Sequence, residues 1–197
     1  MAFIFIFLPL LMAALAAAIP SNRLRPWLLP VTGVAHLALT LFTLARQDLT
    51  VTAAWLVLDP LGKLILLVVS TLFLFCSFYA VGYLRNRGER PNRVFCICLM
   101  AFLGLVGLVT WSHHLGLMWV AIEGTTLVTA PLIFFNHTQR SIEATWKYML
   151  VGSVGIALAL LGTFFLAYAA LHTGMETSLV LEDLLAHAPQ LSKPWLH

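Results

Sequence analysis

Glu123 stands near the middle of HLGLMWVAIEGTTLVTAPLIFF, the run from His114 to Phe135, and no other carboxylate, lysine or arginine interrupts that run. A carboxylate at bilayer depth is costly, and it persists where a partner, a water-filled path or a chemical role compensates. The chemistry within its reach is reversible proton binding. At helical spacing its face includes Gly116, Trp119, Thr126 and Ala130, with Thr125 and Thr129 close beside it. Small and hydroxyl side chains there allow close helix approach, hydrogen bonds and ordered water. A carboxylate that merely packs, with its hydrogen bonds satisfied, is the competing reading.

A proton carrier of this kind needs a cation whose approach favours the ionised form and whose withdrawal favours the protonated one. Lys147 is the candidate. It begins a stripe of mostly small residues, Val151, Gly155, Ala159 and Gly162, which predicts that this face meets another helix. An equally good local account pairs it with Glu143, four residues earlier, in the favourable orientation for a helix-surface ion pair worth about 0.2 to 0.5 kcal/mol. A lysine so near a helix end also snorkels readily. Asp59 and Lys63 repeat the spacing and read as an end-capping pair. His36 is open to a proton path because imidazole titrates near neutrality, or to the hydrogen-bonded packing role usual for a lone histidine.

Other chemistry is thin. Cys76, Cys96 and Cys98 lack the spacing of a zinc or iron–sulfur set and read as packing residues. His113 and His114 have no carboxylate or cysteine cluster nearby to complete a metal shell. Phosphate loop, dinucleotide fingerprint and nucleophile elbow are all missing from the sequence, so no cofactor is expected on this chain.

The elements that must position these residues follow from composition. With 61% hydrophobic and 10% charged residues among 197, the chain is an integral membrane protein. Six apolar stretches approach the roughly 20 residues a spanning helix needs: Ala2 to Ile19, Trp27 to Ala45, Leu61 to Leu84, Val94 to Thr110, His114 to Phe135 and Ala144 to Leu171. Backbone satisfaction in lipid forces helices, and the alternation of a β-barrel is missing. The expected class is all-α, a polytopic transmembrane bundle in residues 1–172, followed by a polar to amphipathic tail, 173–197. The first stretch lacks a basic n-region and is expected to be retained rather than cleaved as a signal peptide.

Arg23, Arg25, Arg85, Arg87, Arg90, Arg93 and Arg140 follow the odd-numbered helices, whereas the even loops offer Arg46 beside Asp48 and Asp59. The positive-inside rule places the odd loops in the cytoplasm and the N-terminus outside. The basic charge is therefore a topology signal and no pointer to nucleic acid. Trp27, Trp111 and Trp146 are expected to be interfacial anchors, Leu49 to Leu58 an extended outer segment, and Thr177 to Ala188 an interfacial helix.

WVAIEGTTLVTAPLIFF, followed by RSIEATWKYMLVGSVGIALALLGT, resembles the proton-translocating antiporter-like subunits of respiratory complex I, Mrp-type antiporters and energy-converting hydrogenases, most of all the F branch of the hydrogenase-4 membrane subunits. The resemblance rests on the W-x-x-x-E pattern at Trp119 and Glu123 and the E-A-x-x-K-Y pattern from Glu143 to Tyr148. It implies that Glu123 matches the family's central glutamate coupled to proton movement and that Lys147 matches its lysine at the start of helix 6.

The family pattern continues into a lysine-bearing helix with a G-x-K-x-G-L-x-P-x-H motif, and LEDLLAHAPQLSKPWLH resembles its lead-in. The expectation is an N-terminal part of such a subunit in the inner, cytoplasmic membrane. Its partners would be other membrane subunits of a respiratory or hydrogenase complex and a chain supplying the remaining C-terminal helices, and alone it would not conduct protons. A structural or assembly subunit, an Mrp-type antiporter subunit and a small independent transporter or remnant are the alternatives.

The orientation is directly testable. A cysteine placed at Arg90 is expected to react with an impermeant reagent from the cytoplasmic side and one at Met175 from the opposite side; the reverse labelling contradicts it.

Overall fold

The structure, a computed structural model, describes residues 1–46, 51–53, 55–86, 91–172, 179–186 and 188. Its elements are α1 (Ala2–Ala18), α2 (Leu28–Ala45), β1 (Val51–Ala53), β2 (Leu56–Val57), α3 (Pro60–Asn86), α4 (Arg93–Trp111), α5 (Leu115–Ile133), α6 (Gln139–His172) and α7 (Leu181–Ala186). This is an all-α polytopic membrane bundle. Among the described residues five helices have the length and apolarity to cross a membrane.

α1 is the exception to the expected six spans. Its 17 residues cover about 26 Å at about 1.5 Å each, short of a hydrocarbon core of roughly 30 Å. It stops because Pro20 disfavours helical geometry at Ile19, which is extended at φ −73° and ψ 119°. Close packing compensates for the short reach: α1 lies against α4, where a Cβ on Gly104 would stand 2.9 Å from the carbonyl oxygen of Ile6. Only a residue without a side chain lets the two backbones approach so far.

The freed carbonyls at the end of α1 are taken up by Arg25, which is buried. Its Nε donates to the Ala16 carbonyl at 2.9 Å, and Nη2 donates to the Ile19 carbonyl. Nη1 donates to Asn22 Oδ1 at 2.8 Å and to Asn92 Oδ1 at 2.7 Å. Asn92 precedes α4, and its Nδ2 donates to the Asn22 carbonyl at 2.7 Å. One guanidinium thus ties the C-terminal end of α1, the first loop and the start of α4 together. A cation there also suits the negative end of the helix dipole. Arg25 is therefore a buried clamp rather than the loop charge that counting arginines suggests.

The opposite end is stitched by backbone. β1 and β2 pair antiparallel, as the extended outer segment predicts. The His113 N–H donates to the Trp55 carbonyl at 3.0 Å, and the Leu181 N–H to the His113 carbonyl at 2.8 Å. The N–H of Ala2 and the terminal ammonium both donate to Thr52 Oγ1 at 3.3 Å. The chain start, the α2–α3 and α4–α5 connections and the approach to α7 therefore share one end of the bundle, as the charge-derived topology requires.

Trp111 is fully buried, its ring 5.8 Å from that of Phe5, so it is a core residue and not an anchor. Trp27 and Trp146 are 57% and 62% exposed, as anchors should be. Of the cysteines, Cys96 packs in the core while Cys76 faces outward. α6 begins at Gln139, five residues earlier than the hydropathy suggests. Thr138 and Ser141 form a reciprocal cap there, with N-to-Oγ distances of 2.8 and 3.1 Å. The interfacial helix expected from Thr177 is seen as the shorter α7; residues 177, 178 and 187 lie outside the described residues, as do Asp48, Arg87, Arg90 and most of the 173–197 tail.

Removing the clamp leaves buried acceptors unpaired. Arg25→Met is expected to destabilise the detergent-solubilised protein by about 2 to 3 kcal/mol, read as a lower unfolding midpoint. An unchanged midpoint contradicts the role.

Candidate functional site

α5 carries the intramembrane carboxylate between two differently built neighbours. On one side is α4, with Leu105 of that helix 3.1 Å from where a Cβ on Gly124 would stand. On the other side is α6. The Trp119 indole Nε1 donates to the Ile156 carbonyl of α6 at 2.8 Å. Thr126 packs on Gly152, where an added Cβ would meet its Cγ2 at 3.0 Å. Nearer the inner end, Thr129 Oγ1 and the Tyr148 hydroxyl lie 2.7 Å apart. The small and hydroxyl face expected around Glu123 is therefore a helix–helix seam. Trp119, Thr126 and Thr129 on α5 meet Ile156, Gly152 and Tyr148 on α6.

Glu123 itself is half-buried, and its Oε2 is buried with no hydrogen-bond partner among the described residues. Thr125 and Thr126 do not serve it, because both hydroxyls donate back to the Ile122 carbonyl, at 2.7 and 3.3 Å. A packing carboxylate with satisfied hydrogen bonds, the competing reading, does not describe this atom. Thr126 follows Glu123 at i+3 on its side of the helix, and Thr129 neighbours Thr126 at i+3 in turn, toward the inner end. Tyr148 adds a hydroxyl from the facing helix.

Lys147 is not brought to Glu123. It is exposed and paired with Glu143 at 2.5 Å, with side-chain exposures of 72% and 64%. The local account of the lysine is the geometry observed. Its stripe is also not the seam: Val151 is 76% exposed, and nothing lies within 4 Å of a Cβ placed on Gly155 or Gly162. α6 instead turns the face of Thr145, Met149, Gly152 and Ile156 inward. Lys147, Glu143, Val151 and Gly155 form the open side of the same helix.

Asp59 and Lys63 do not form an ion pair among the described residues. Asp59 Oδ1 accepts from the Gly62 N–H at 2.6 Å, which is the N-terminal cap of α3. His36 is fully buried between α2 and α3, with Nδ1 2.8 Å from Ser70 Oγ and the Phe5 ring edge-on at 5.2 Å. Ser70 Oγ donates to the Leu66 carbonyl at 2.6 Å and lies 2.9 Å from Thr40 Oγ1. The His36 Nε2 is buried with no hydrogen-bond partner among the described residues. The geometry fits a packing link between α2 and α3. His114 caps α5, its Nδ1 accepting from the Leu117 N–H at 3.3 Å. Among the described residues no group of three or more His, Cys, Asp or Glu could hold a metal ion.

Sequence reasoning missed the Tyr148 hydroxyl and the Trp119 indole as the groups that join α5 to α6. Both lie inside the W-x-x-x-E and E-A-x-x-K-Y patterns, where a paired aromatic hydroxyl and threonine is the detectable signal.

A membrane helix pair joined around an intramembrane carboxylate is what the fold and site define, and the similarities to known proteins specify it further. Residues 112–193, which include α5 and α6, match the family described as NADH:quinone oxidoreductase/Mrp antiporter, TM. The chain is 29% identical to a hydrogenase-4 component F homolog of Methylacidiphilum infernorum over 94% of its own length and 40% of that protein's. It is 29% identical to NADH-quinone oxidoreductase subunit N of Myxococcus xanthus over 76% of its length and 28% of the relative's. Subunit N of the F(420)H(2) dehydrogenase of Methanosarcina mazei is 30% identical over 59% of this chain and 23% of its own length. The chain is thus similar to the complex I/Mrp antiporter family across residues 112–193 and, more widely, to these membrane subunits. It spans two fifths or less of the length of these relatives.

Proposed function

We propose that this chain contributes a proton-carrying carboxylate, Glu123, to a proton path in a larger membrane oxidoreductase of the hydrogenase or complex I type, in the inner membrane. The observation that carries the reading is the buried, unpartnered Oε2 on an otherwise uncharged spanning helix. Such an atom costs free energy unless a proton, water or mobile cation meets it during the working cycle.

The proton binds and leaves the carboxylate without covalent chemistry on carbon. Toward the inner end, the Thr126, Thr129 and Tyr148 hydroxyl oxygens offer acceptor lone pairs on which water can order along the seam. Lys147 and Glu143 face away from this row. They would influence the proton only through a chain packed on the open side of α6, where a competing cation for Glu143 would free the lysine. On that side Val151 is 76% exposed and Gly155 and Gly162 face open space, which makes it the natural contact for another membrane subunit.

The reading is tested in inverted membrane vesicles carrying the assembled host complex, with a pH-sensitive dye. Glu123→Gln keeps assembly but is expected to lower proton translocation at least tenfold, Glu123→Asp to retain part of it, and Tyr148→Phe to slow it more mildly. Flux equal to wild type in assembled Glu123→Gln would instead make this a structural or assembly subunit.

A further inference from the structure

At the inner end of the bundle, between the α1–α2 loop and the facing ends of α3 and α4, lies a cavity of about 680 Å³. That is the size of an ordinary small-molecule site, which runs from about 300 to 1,000 Å³. Its lining includes Arg23, Arg85, Asn22, Asn92, Trp27 and Leu84. Among the described residues the lining holds two guanidinium groups and no carboxylate. Among the described residues neither arginine has an acidic partner: the ion pair at this end is between Lys147 and Glu143, on α6. Arg25 lies buried behind the cavity wall, with its donors spent on Ala16, Ile19, Asn22 and Asn92, and it adds a third positive charge that cannot move away.

We infer that this cavity is a headgroup site for an anionic phospholipid. Two arginines supply the fork geometry that holds a phosphate diester through paired N–H donors, and Asn22 and Asn92 add neutral polar contacts for glycerol or ester oxygens. The rest of the lining is apolar, with Leu84, Val81 and Pro26 beside the arginines. An occupant that meets guanidinium groups at one side and hydrocarbon at the other is amphipathic. Trp27 is 57% exposed and Leu24 65% exposed on the adjoining turn, and an indole at such a helix end sits at headgroup depth. The odd-numbered loops also lie at the cytoplasmic face by their charge, where anionic lipids concentrate and basic pockets between helix ends bind their headgroups. A lipid seated here bridges the first loop to α3 at the junction where the Arg25 clamp bridges α1 to α4. Its expected effect is to stabilise the scaffold that carries α4 and, through α4, the carboxylate helix.

The test uses the protein purified in a mild detergent and reads its thermal unfolding midpoint against added phosphatidylglycerol, phosphatidylcholine or sodium phosphate. Phosphatidylglycerol is expected to raise the midpoint by several degrees, while the other two leave it in place. Arg23→Gln with Arg85→Gln should remove most of that shift, and Arg46→Gln, at the opposite end, should keep it. An equal shift with phosphatidylcholine, or an undiminished one in the double variant, overturns the inference. An equal shift with phosphate alone overturns the lipid and leaves a free-anion site. Native mass spectrometry of the unmodified protein given equimolar phosphatidylglycerol and phosphatidylcholine gives an independent reading. Selective retention of phosphatidylglycerol supports the site, and equal retention of both overturns it.

Discussion

A polar atom inside a membrane-spanning bundle must find its partner within the protein, because the hydrocarbon around it offers none. Most of this structure follows from that constraint. The carbonyls freed where α1 ends short are met by Arg25, and the buried hydroxyls of Thr32, Thr43, Ser70 and Ser77 donate back to carbonyls one turn earlier. The outer connections hydrogen-bond to one another as extended backbone. Against this background the unpartnered atoms stand out. Oε2 of Glu123 belongs to the one carboxylate inside α5, and the other buried side-chain atoms in the same condition among the described residues, on His36, Trp111 and His113, are ring nitrogens.

The bundle is built unevenly, and the unevenness bears on function. α1 to α4 pack into a well-filled unit, with 39% of the most apolar window buried in both α2 and α4, while the corresponding share falls to 11% in α5 and to none in α6. The carboxylate helix thus sits on a rigid support on one side and on a lightly held helix on the other. The α5–α6 seam depends on a few contacts, chiefly an indole-to-carbonyl bond, a threonine on a glycine and a threonine–tyrosine hydroxyl pair. Such a joint can admit water or shift without disturbing the core.

Fold class, helix order and the depth of Glu123 were legible because they depend on hydropathy and charge, which need no knowledge of packing. The packing faces were less so. α6 is apolar nearly all round, so no period in its sequence says which stripe turns inward. The sequence points to the small residues after Lys147 as the contact surface, whereas the protein turns the stripe through Gly152 inward. The burial of Arg25 and Trp111 was illegible for a related reason. Rules for loop arginines and terminal tryptophans describe residues at an interface, while a short first helix and the close contact between α1 and α4 draw these two inside. Of the end-capping pair read at Asp59 and Lys63, the cap is seen and the ion pair is not, because an aspartate directly before a helix satisfies backbone N–H groups more readily than it holds a flexible lysine.

The central claim is that Glu123 exchanges a proton, and the most direct measurement is the infrared difference spectrum of the host complex as it is driven through its working cycle. The account predicts a carboxylic acid C=O stretching band that appears and disappears with turnover, shifts in deuterated water and is lost in Glu123→Gln. A turnover spectrum in which Glu123→Gln removes no carboxyl band would contradict it.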